Sequence, residues 1–266
     1  MKYFNICYKK KIMIPKKIHF CWFWYNKKSD IIKKCIKSWK KSCPDFKIIE
    51  WNEENFNVNI SNFTRQAYKQ KKWAYVADYA RFYILEKEWW IYLDTDMFLY
   101  KNLTPLLKNN FFLWIQHYIK WPPDIIRINW WIIWMTKNNK LWKKFIKYYN
   151  GINDNNIIID RKYIITDIIR VVLEKIYNIK DINKKQILEE DVVIYPIDYF
   201  YAYDDIKKQE KLTNNTYSIH YWLWSWVTKT DKIKQKITLW IVHILEILKI
   251  KDIIFNILRK IKKNVK

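Results

Sequence analysis

Apolar positions along the chain fall into short runs and helical faces that alternate in order. Ile14–Phe23 is an apolar run after Pro15 and predicts a first strand. Between Asp30 and Lys41, the residues Ile31, Ile32, Cys35, Ile36 and Trp39 recur at helical spacing among lysines, with Ser29 or Asp30 as N-cap. Phe46–Trp51 predicts a second strand, Asn62–Lys71 a helix, and Trp73–Leu85 a helix apolar on nearly every face, hence buried on most sides. Ile91–Leu93 is a short interior strand. Strands at Phe111–Gln116, Ile128–Met135 and Val192–Tyr195 follow, with helices at Leu141–Tyr149 and Ile164–Tyr177, a loop or short helix at Leu103–Leu107, and an aromatic loop at Ser218–Trp226. The order strand–helix–strand–helix–strand predicts an α/β domain with a parallel sheet and crossover helices. Beyond Thr228 the pattern changes to a basic amphipathic stretch with Ile241, Ile244, Leu245, Leu248, Ile254 and Leu258 at helical spacing. It reads equally as a helix packed on the domain or as one lying on an anionic membrane surface.

Within Trp73–Leu85 only Asp78 and Arg81 break the apolar pattern. Asp78 and Arg81 stand one helical turn apart and share a face. A buried pair of this kind is costly unless fully satisfied, so the pattern points to a grip on polar ligand groups rather than to a surface ion pair. The run Ile91–Leu93 ends in Asp94-Thr95-Asp96. In an extended chain both carboxylates face one spot at the carboxyl end of a strand, where open α/β sheets place their ligands. Two converging carboxylates repel unless a cation sits between them, and a hard divalent ion shared with substrate phosphates answers that need. Asp94 and Asp96 are therefore the candidate metal-binding and catalytic residues. His220, in the aromatic loop, is either a further metal ligand or a satisfied structural residue. Trp22 is either a stacking platform for a nucleotide base or a core aromatic. Asn129 lies amid apolar residues on a strand expected near the site.

Composition changes this picture in three respects. The 266 residues suit one sizeable domain and are half hydrophobic, which excludes wholesale disorder. The formal net charge of +24 suggests a nucleic-acid or anionic-membrane partner, but lysines are scattered and arginine is scarce, as AT-rich coding would produce. The four cysteines form no C-x-x-C pair, so a reducing compartment is expected, and neither a secretory signal nor an 18-residue apolar span is apparent. Glycine is the anomaly. The chain has one, Gly151, and 17 tryptophans, where average usage gives roughly 19 glycines at this length. Trp24, Trp89-Trp90, Trp130-Trp131, Trp134 and Trp224 stand where turns or helix ends favour glycine. That distribution is expected if UGA codons, read as glycine by the source, are written here as tryptophan. The coding DNA decides it.

The segments IPKKIHFCWFW, SWKKSCPDFKIIEWNEENF, AYKQKKWAYVADYAR, WWIYLDTD and IHYWLWSW occur in that order. Together they resemble glycosyltransferase family 32: capsular-polysaccharide and initiating α-mannosyltransferase-like enzymes with a DXD sugar-binding region. More distantly they resemble the glucosylating domains of large clostridial toxins. The resemblance spans residues 14–228 and leaves 229–266 as a separate basic tail. It implies a GT-A, Rossmann-like nucleotide-sugar sheet flanked by helices, and Mn²⁺ or Mg²⁺ held by the DXD against a donor diphosphate. By position, Trp22 would stack on the base, and Asp78 and Arg81 would hold donor-sugar hydroxyls. Asp94 and Asp96 would serve the ribose or sugar and the metal, and Asn129 would lie near the sugar. His220, Ser225 and Trp226 would close over the metal and diphosphate. The expected partners are a UDP- or GDP-sugar donor and a glycan or lipid-linked glycan acceptor, at the cytoplasmic face of the membrane, with retention of configuration. The rival classes are a basic nucleic-acid-binding protein and a non-catalytic membrane-surface protein.

Overall fold

The computed structural model describes residues 16–25, 27–88, 91–109, 111–119, 125–135, 140–160, 163, 184–188, 192–204, 209–221 and 223. The expected helix Ile164–Tyr177, the turn at 120–124, the tail 229–266, and Ser225 and Trp226 lie outside the described residues. In chain order the elements are β1 (Lys17–Cys21), α1 (Asp30–Ser42), β2 (Lys47–Trp51), α2 (Asn62–Lys69), α3 (Trp73–Glu88), β3 (Ile91–Leu93) and β4 (Met97–Leu99). A 3₁₀ turn at Thr104–Lys108 precedes β5 (Phe111–Ile119), β6 (Ile125–Met135), α4 (Lys140–Asn150), β7 (Gln186–Ile187) and β8 (Val192–Tyr195). Then come β9 (Tyr203–Asp204), β10 (Gln209–Glu210) and β11 (Ser218–His220). The described residues up to His117 and from Ile126 to Tyr221 form one compact unit, which holds Asp78, Arg81, Asp94, Asp96 and His220.

Among the described residues seven strands form one sheet in the order β2-β1-β3-β6-β5-β8-β7. β1 lies between β2 and β3 and is parallel to both, with Ile18 opposite Ile48 and Ile91. These are the pairings expected when α1, and then α2 with α3, carry the chain back between successive strands. β3 and β8 are buried at every residue, as strands covered on both faces must be. The sheet is nevertheless mixed. β6 runs antiparallel to β3, with Leu93 opposite Ile132, and β7 runs antiparallel to β8. The α/β class expected from the sequence is therefore the class found, with a sheet that is parallel only in part. A further difference concerns Ser218–Trp226, expected to be a loop throughout. Its first three residues form β11, which pairs antiparallel with β4 in a separate two-stranded sheet.

Each helix near the site has a local cause. The Ser29 side chain accepts from the Ile32 amide at the start of α1, and Ile32, Cys35 and Trp39 face inward. α2 begins in a capping box between Ser61 and Thr64. It ends with the Lys71 amide donating to Tyr68 O and the Lys72 amide to Ala67 O, the paired bonds of a left-handed cap. α3 buries Tyr75, Val76, Tyr79, Ala80, Phe82, Ile84 and Leu85, so nearly its whole circumference is core. Among the described residues no helix is long and apolar enough to cross a membrane.

Backbone conformation bears on the glycine anomaly. Among the described residues the left-handed positions are Trp24 (φ 92°), Tyr25 (φ 51°) and Lys71 (φ 56°), and Gly151 is not one of them. A bulky side chain at such a φ is disfavoured by roughly 1–2 kcal/mol. Trp24 therefore sits where glycine is the favoured residue. Trp134 behaves differently: it is 1% exposed, and its indole N–H donates to Asn109 O at 2.6 Å, so the ring is fully accommodated. Trp89, Trp90 and Trp224 lie outside the described residues, as do the side chains of Trp130 and Trp131.

Candidate active site

The site is assembled by α3, the β3–β4 turn and β11. β3 ends at Leu93, and Asp94-Thr95-Asp96 is a tight turn closed by the Met97 amide donating to Asp94 O. The two carboxylates therefore flank a turn rather than prolong a strand, and each has its own partner. Asp94 Oδ1 is 3.3 Å from Arg81 Nη2, and Asp96 Oδ1 is 2.9 Å from His220 Nε2. The same Arg81 Nη2 donates to Asp78 Oδ1 at 2.9 Å. One guanidinium thus links a carboxylate on its own helix to one on the neighbouring turn.

Burial gives these contacts weight. The side chains of Arg81 and Asp78 are 5% and 11% exposed. Those of Asp94 and Asp96 are 20% and 15% exposed, so the carboxylates reach the surface from a buried base. Burial alone would lower the Arg81 pKa, but the nearby Asp94 carboxylate, Tyr92 and Asp78 outweigh it and hold the guanidinium charged. The Arg81 guanidinium also lies 4.8 Å from the centroid of the Tyr92 ring. Burial pushes the Asp94 carboxyl above the usual range; Arg81 opposes this and Asp96 adds to it. Tyr92 donates a hydrogen bond to Asp94. Cys21 lies against this group, and burial raises its thiol to about 12, so it is a core residue and no nucleophile.

β11 places His220 by sheet register, since His220 pairs with Met97, the residue after Asp96. The Tyr221 amide then donates to Asp96 O at 3.1 Å. Backbone and side chain of Asp96 are both held from this strand.

Asp78, Arg81, Asp94, Asp96 and His220 are therefore brought together. Trp22 follows β1 at the same sheet edge, one strand from β3, its amide donating to Trp51 O and Lys28 Nζ 5.4 Å from its ring centroid. Asn129 lies on β6, three residues beyond the pairing of Ile132 with Leu93 and towards the turn; its side chain is outside the described residues. Tyr92 is the site residue that sequence reasoning missed. It sits inside an apolar run, and only its i−2 position relative to Asp94 hinted at contact.

Among the described residues no group of three or more His, Cys, Asp or Glu side chains gathers as a metal-ion site. Two carboxylates on a turn remain suited to a hard divalent cation, which fills its other positions from phosphate and water. His220 Nε2 faces Asp96, where it orients that carboxylate.

Residues 29–113 match the family described as "Glycosyltransferase sugar-binding region containing DXD motif", and the DXD inside that span is Asp94-Thr95-Asp96. Asp78, Arg81, Asp94 and Asp96 all lie inside the matched residues. No curated protein sequence matches the chain. Solved structures that match include the PaToxG glycosyltransferase, at 18% identity over 61% of this chain and 70% of that one, TM-score 0.43. A glycosyltransferase involved in glycosylation of the major capsid of PBCV-1 matches at 11% identity over 77% and 93%, TM-score 0.45. The apo form of the glycosyltransferase GlyE of Streptococcus pneumoniae TIGR4 matches at 13% identity over 63% and 45%, TM-score 0.39.

Proposed function

We propose that this protein is a metal-dependent GT-A glycosyltransferase of the family 32 kind. It would move a hexose from a UDP- or GDP-sugar to a carbohydrate acceptor in surface-polysaccharide synthesis, with retention of configuration. Residues 14–228 would be the catalytic domain, working at the cytoplasmic face of the membrane. The observation that carries the reading is the bridge from Asp78 through Arg81 to Asp94, beside the Asp96–His220 pair, on a turn at the sheet's carboxyl edge.

Each residue has a defined task in this reading. Asp78 is fixed by Arg81 through one oxygen and presents the carboxylate to sugar hydroxyls. Arg81 stays charged and holds Asp78 and Asp94 in fixed relation, so that neither must reorganise when a donor arrives. Asp94 and Asp96 would hold Mn²⁺ or Mg²⁺, which supplies positive charge against the diphosphate as it leaves. His220 keeps the Asp96 carboxylate oriented. Trp22 would carry the base, and Asn129, Ser225 and Trp226 would complete the donor pocket. The scattered lysines do not favour a nucleic-acid partner.

The test is hydrolysis and transfer from UDP- and GDP-sugars with Mn²⁺, with Mg²⁺ and after chelation. The proposal expects activity that chelation abolishes and that an added divalent ion restores. Turnover indifferent to chelation would overturn the metal assignment, and no turnover of either donor class would overturn the enzyme.

A further inference from the structure

Beyond the donor site, one group of side chains has the composition of a ring-binding site, and one of this chain's own residues fills it. The Trp24 indole stacks on Trp73, with centroids 5.8 Å apart and planes 19° from parallel. Tyr68 packs edge-on against the same Trp73 ring, at 4.9 Å and 71°. The Tyr68 hydroxyl donates to Glu53 Oε1 at 3.1 Å, and the Trp24 amide donates to the same oxygen at 2.6 Å. Glu53 Oε2 is buried and has no hydrogen-bond partner among the described residues. A buried carboxylate oxygen without a donor is costly, and a ligand O–H would satisfy it.

Trp24 is a poor permanent occupant. The residue is half exposed, at 51%, and its ring is held over Trp73 by a backbone at φ 92°, where glycine is favoured. Without that side chain, one face of Trp73 is uncovered beside Tyr68 and Glu53. Such a surface suits a pyranose ring. The C–H face of a sugar stacks on indole, and its equatorial hydroxyls donate to a carboxylate that can only accept.

We propose that Glu53, Tyr68 and Trp73 form a saccharide subsite for the glycan acceptor, and that the Trp24 side chain occupies it in this chain. Trp73 opens α3, the helix that carries Asp78 and Arg81, so the subsite and the donor grip share one rigid element. The word acceptor rests on the glycosyltransferase reading; binding of a saccharide does not.

The experiment therefore measures binding without turnover. Methyl α-D-mannopyranoside, methyl β-D-glucopyranoside and methyl β-D-galactopyranoside are titrated against the full chain and against Trp24→Gly. Saturation-transfer NMR is the readout, with uridine and guanosine as counter-probes. The expected result is millimolar binding of at least one glycoside to Trp24→Gly and at least about tenfold weaker binding to the unaltered chain. Adding Glu53→Gln, or separately Trp73→Ala, to Trp24→Gly should weaken that binding by about tenfold or more. Glu53→Gln preserves shape, so its loss of binding would not reflect misfolding, which circular dichroism checks. The proposal is overturned if no glycoside binds Trp24→Gly, if binding is indifferent to Glu53→Gln, or if the nucleosides bind there in a Glu53-dependent manner. Asp96→Asn in the same background separates the two readings: it should remove metal-dependent nucleotide binding and leave glycoside binding intact.

Discussion

Two polar groups flank the β3–β4 turn, and they are built on opposite principles. On one side α1 is stitched to β4 by neutral hydrogen bonds. The Leu99 amide donates to Ser38 Oγ at 2.9 Å, Ser42 Oγ to Leu99 O at 3.1 Å, and Trp39 Nε1 to Met97 O at 2.6 Å. On the other side α3 meets the turn through Asp78, Arg81 and Asp94, all ionisable and with Arg81 almost fully buried. The neutral set satisfies backbone groups at little desolvation cost. The charged set carries a desolvation penalty that well-packed apolar residues would avoid. A penalty of that kind placed beside a surface turn is understandable where a ligand completes the charge balance. The contrast shows one flank anchoring the turn and the other presenting it.

The largest effect that tests this contrast should come from Arg81→Met. It removes the shared partner of two largely buried carboxylates and should cost about 3–5 kcal/mol in chemical denaturation. A loss below about 1 kcal/mol would mean that the charged set is not coupled as described. Acidification should next convert a neutral burial into a charged one. His19 is fully buried on β1 and accepts from Trp51 Nε1 at 2.8 Å. Burial, aided by Lys17, lowers its pKa from 6.5 to about 3. A lowered histidine pKa means that the unfolded chain binds the proton more readily, so stability is complete above pH 6.5 and falls as pH drops towards 3. The loss should reach about 3 kcal/mol by about pH 4. His19→Asn, which keeps an acceptor for Trp51, should flatten that slope in urea titrations at stepped pH. Ser38→Ala leaves the Leu99 amide without its acceptor and should cost about 1–3 kcal/mol, without altering metal or nucleotide binding. The smallest change is expected for Trp24→Gly. Relief of the left-handed backbone offsets the lost stacking, and the unfolding free energy in chemical denaturation should change by less than about 1 kcal/mol. An ordinary buried tryptophan truncated to a small residue costs roughly 3–5 kcal/mol.

How much of this was legible beforehand varied with the range of the interactions. Ile91–Leu93, Val192–Tyr195 and the long α3 were plain in the apolar pattern, because burial on all sides leaves continuous apolar runs. The Asp78–Arg81 pair followed from helical spacing alone. β4 and β11 were not legible in this way, since each exists by pairing with the other, a partner distant in the chain. The antiparallel course of β6 was hidden for a related reason: an apolar run looks alike in either direction. The reach of Arg81 to Asp94 and of His220 to Asp96 crosses elements distant in the chain, and only the assembled turn brings them together. Local spacing had suggested two carboxylates side by side on an extended strand. The turn instead gives each a separate partner.

The most direct test of the central claim is a calorimetric titration of Mn²⁺ into the unaltered chain, Asp96→Asn and Ser38→Ala, each with and without UDP and GDP. The account predicts that ion and nucleotide bind together, that Asp96→Asn weakens this joint binding by about a hundredfold or more, and that Ser38→Ala leaves it unchanged. Nucleotide binding that ignores Mn²⁺, or joint binding untouched by Asp96→Asn, would contradict it.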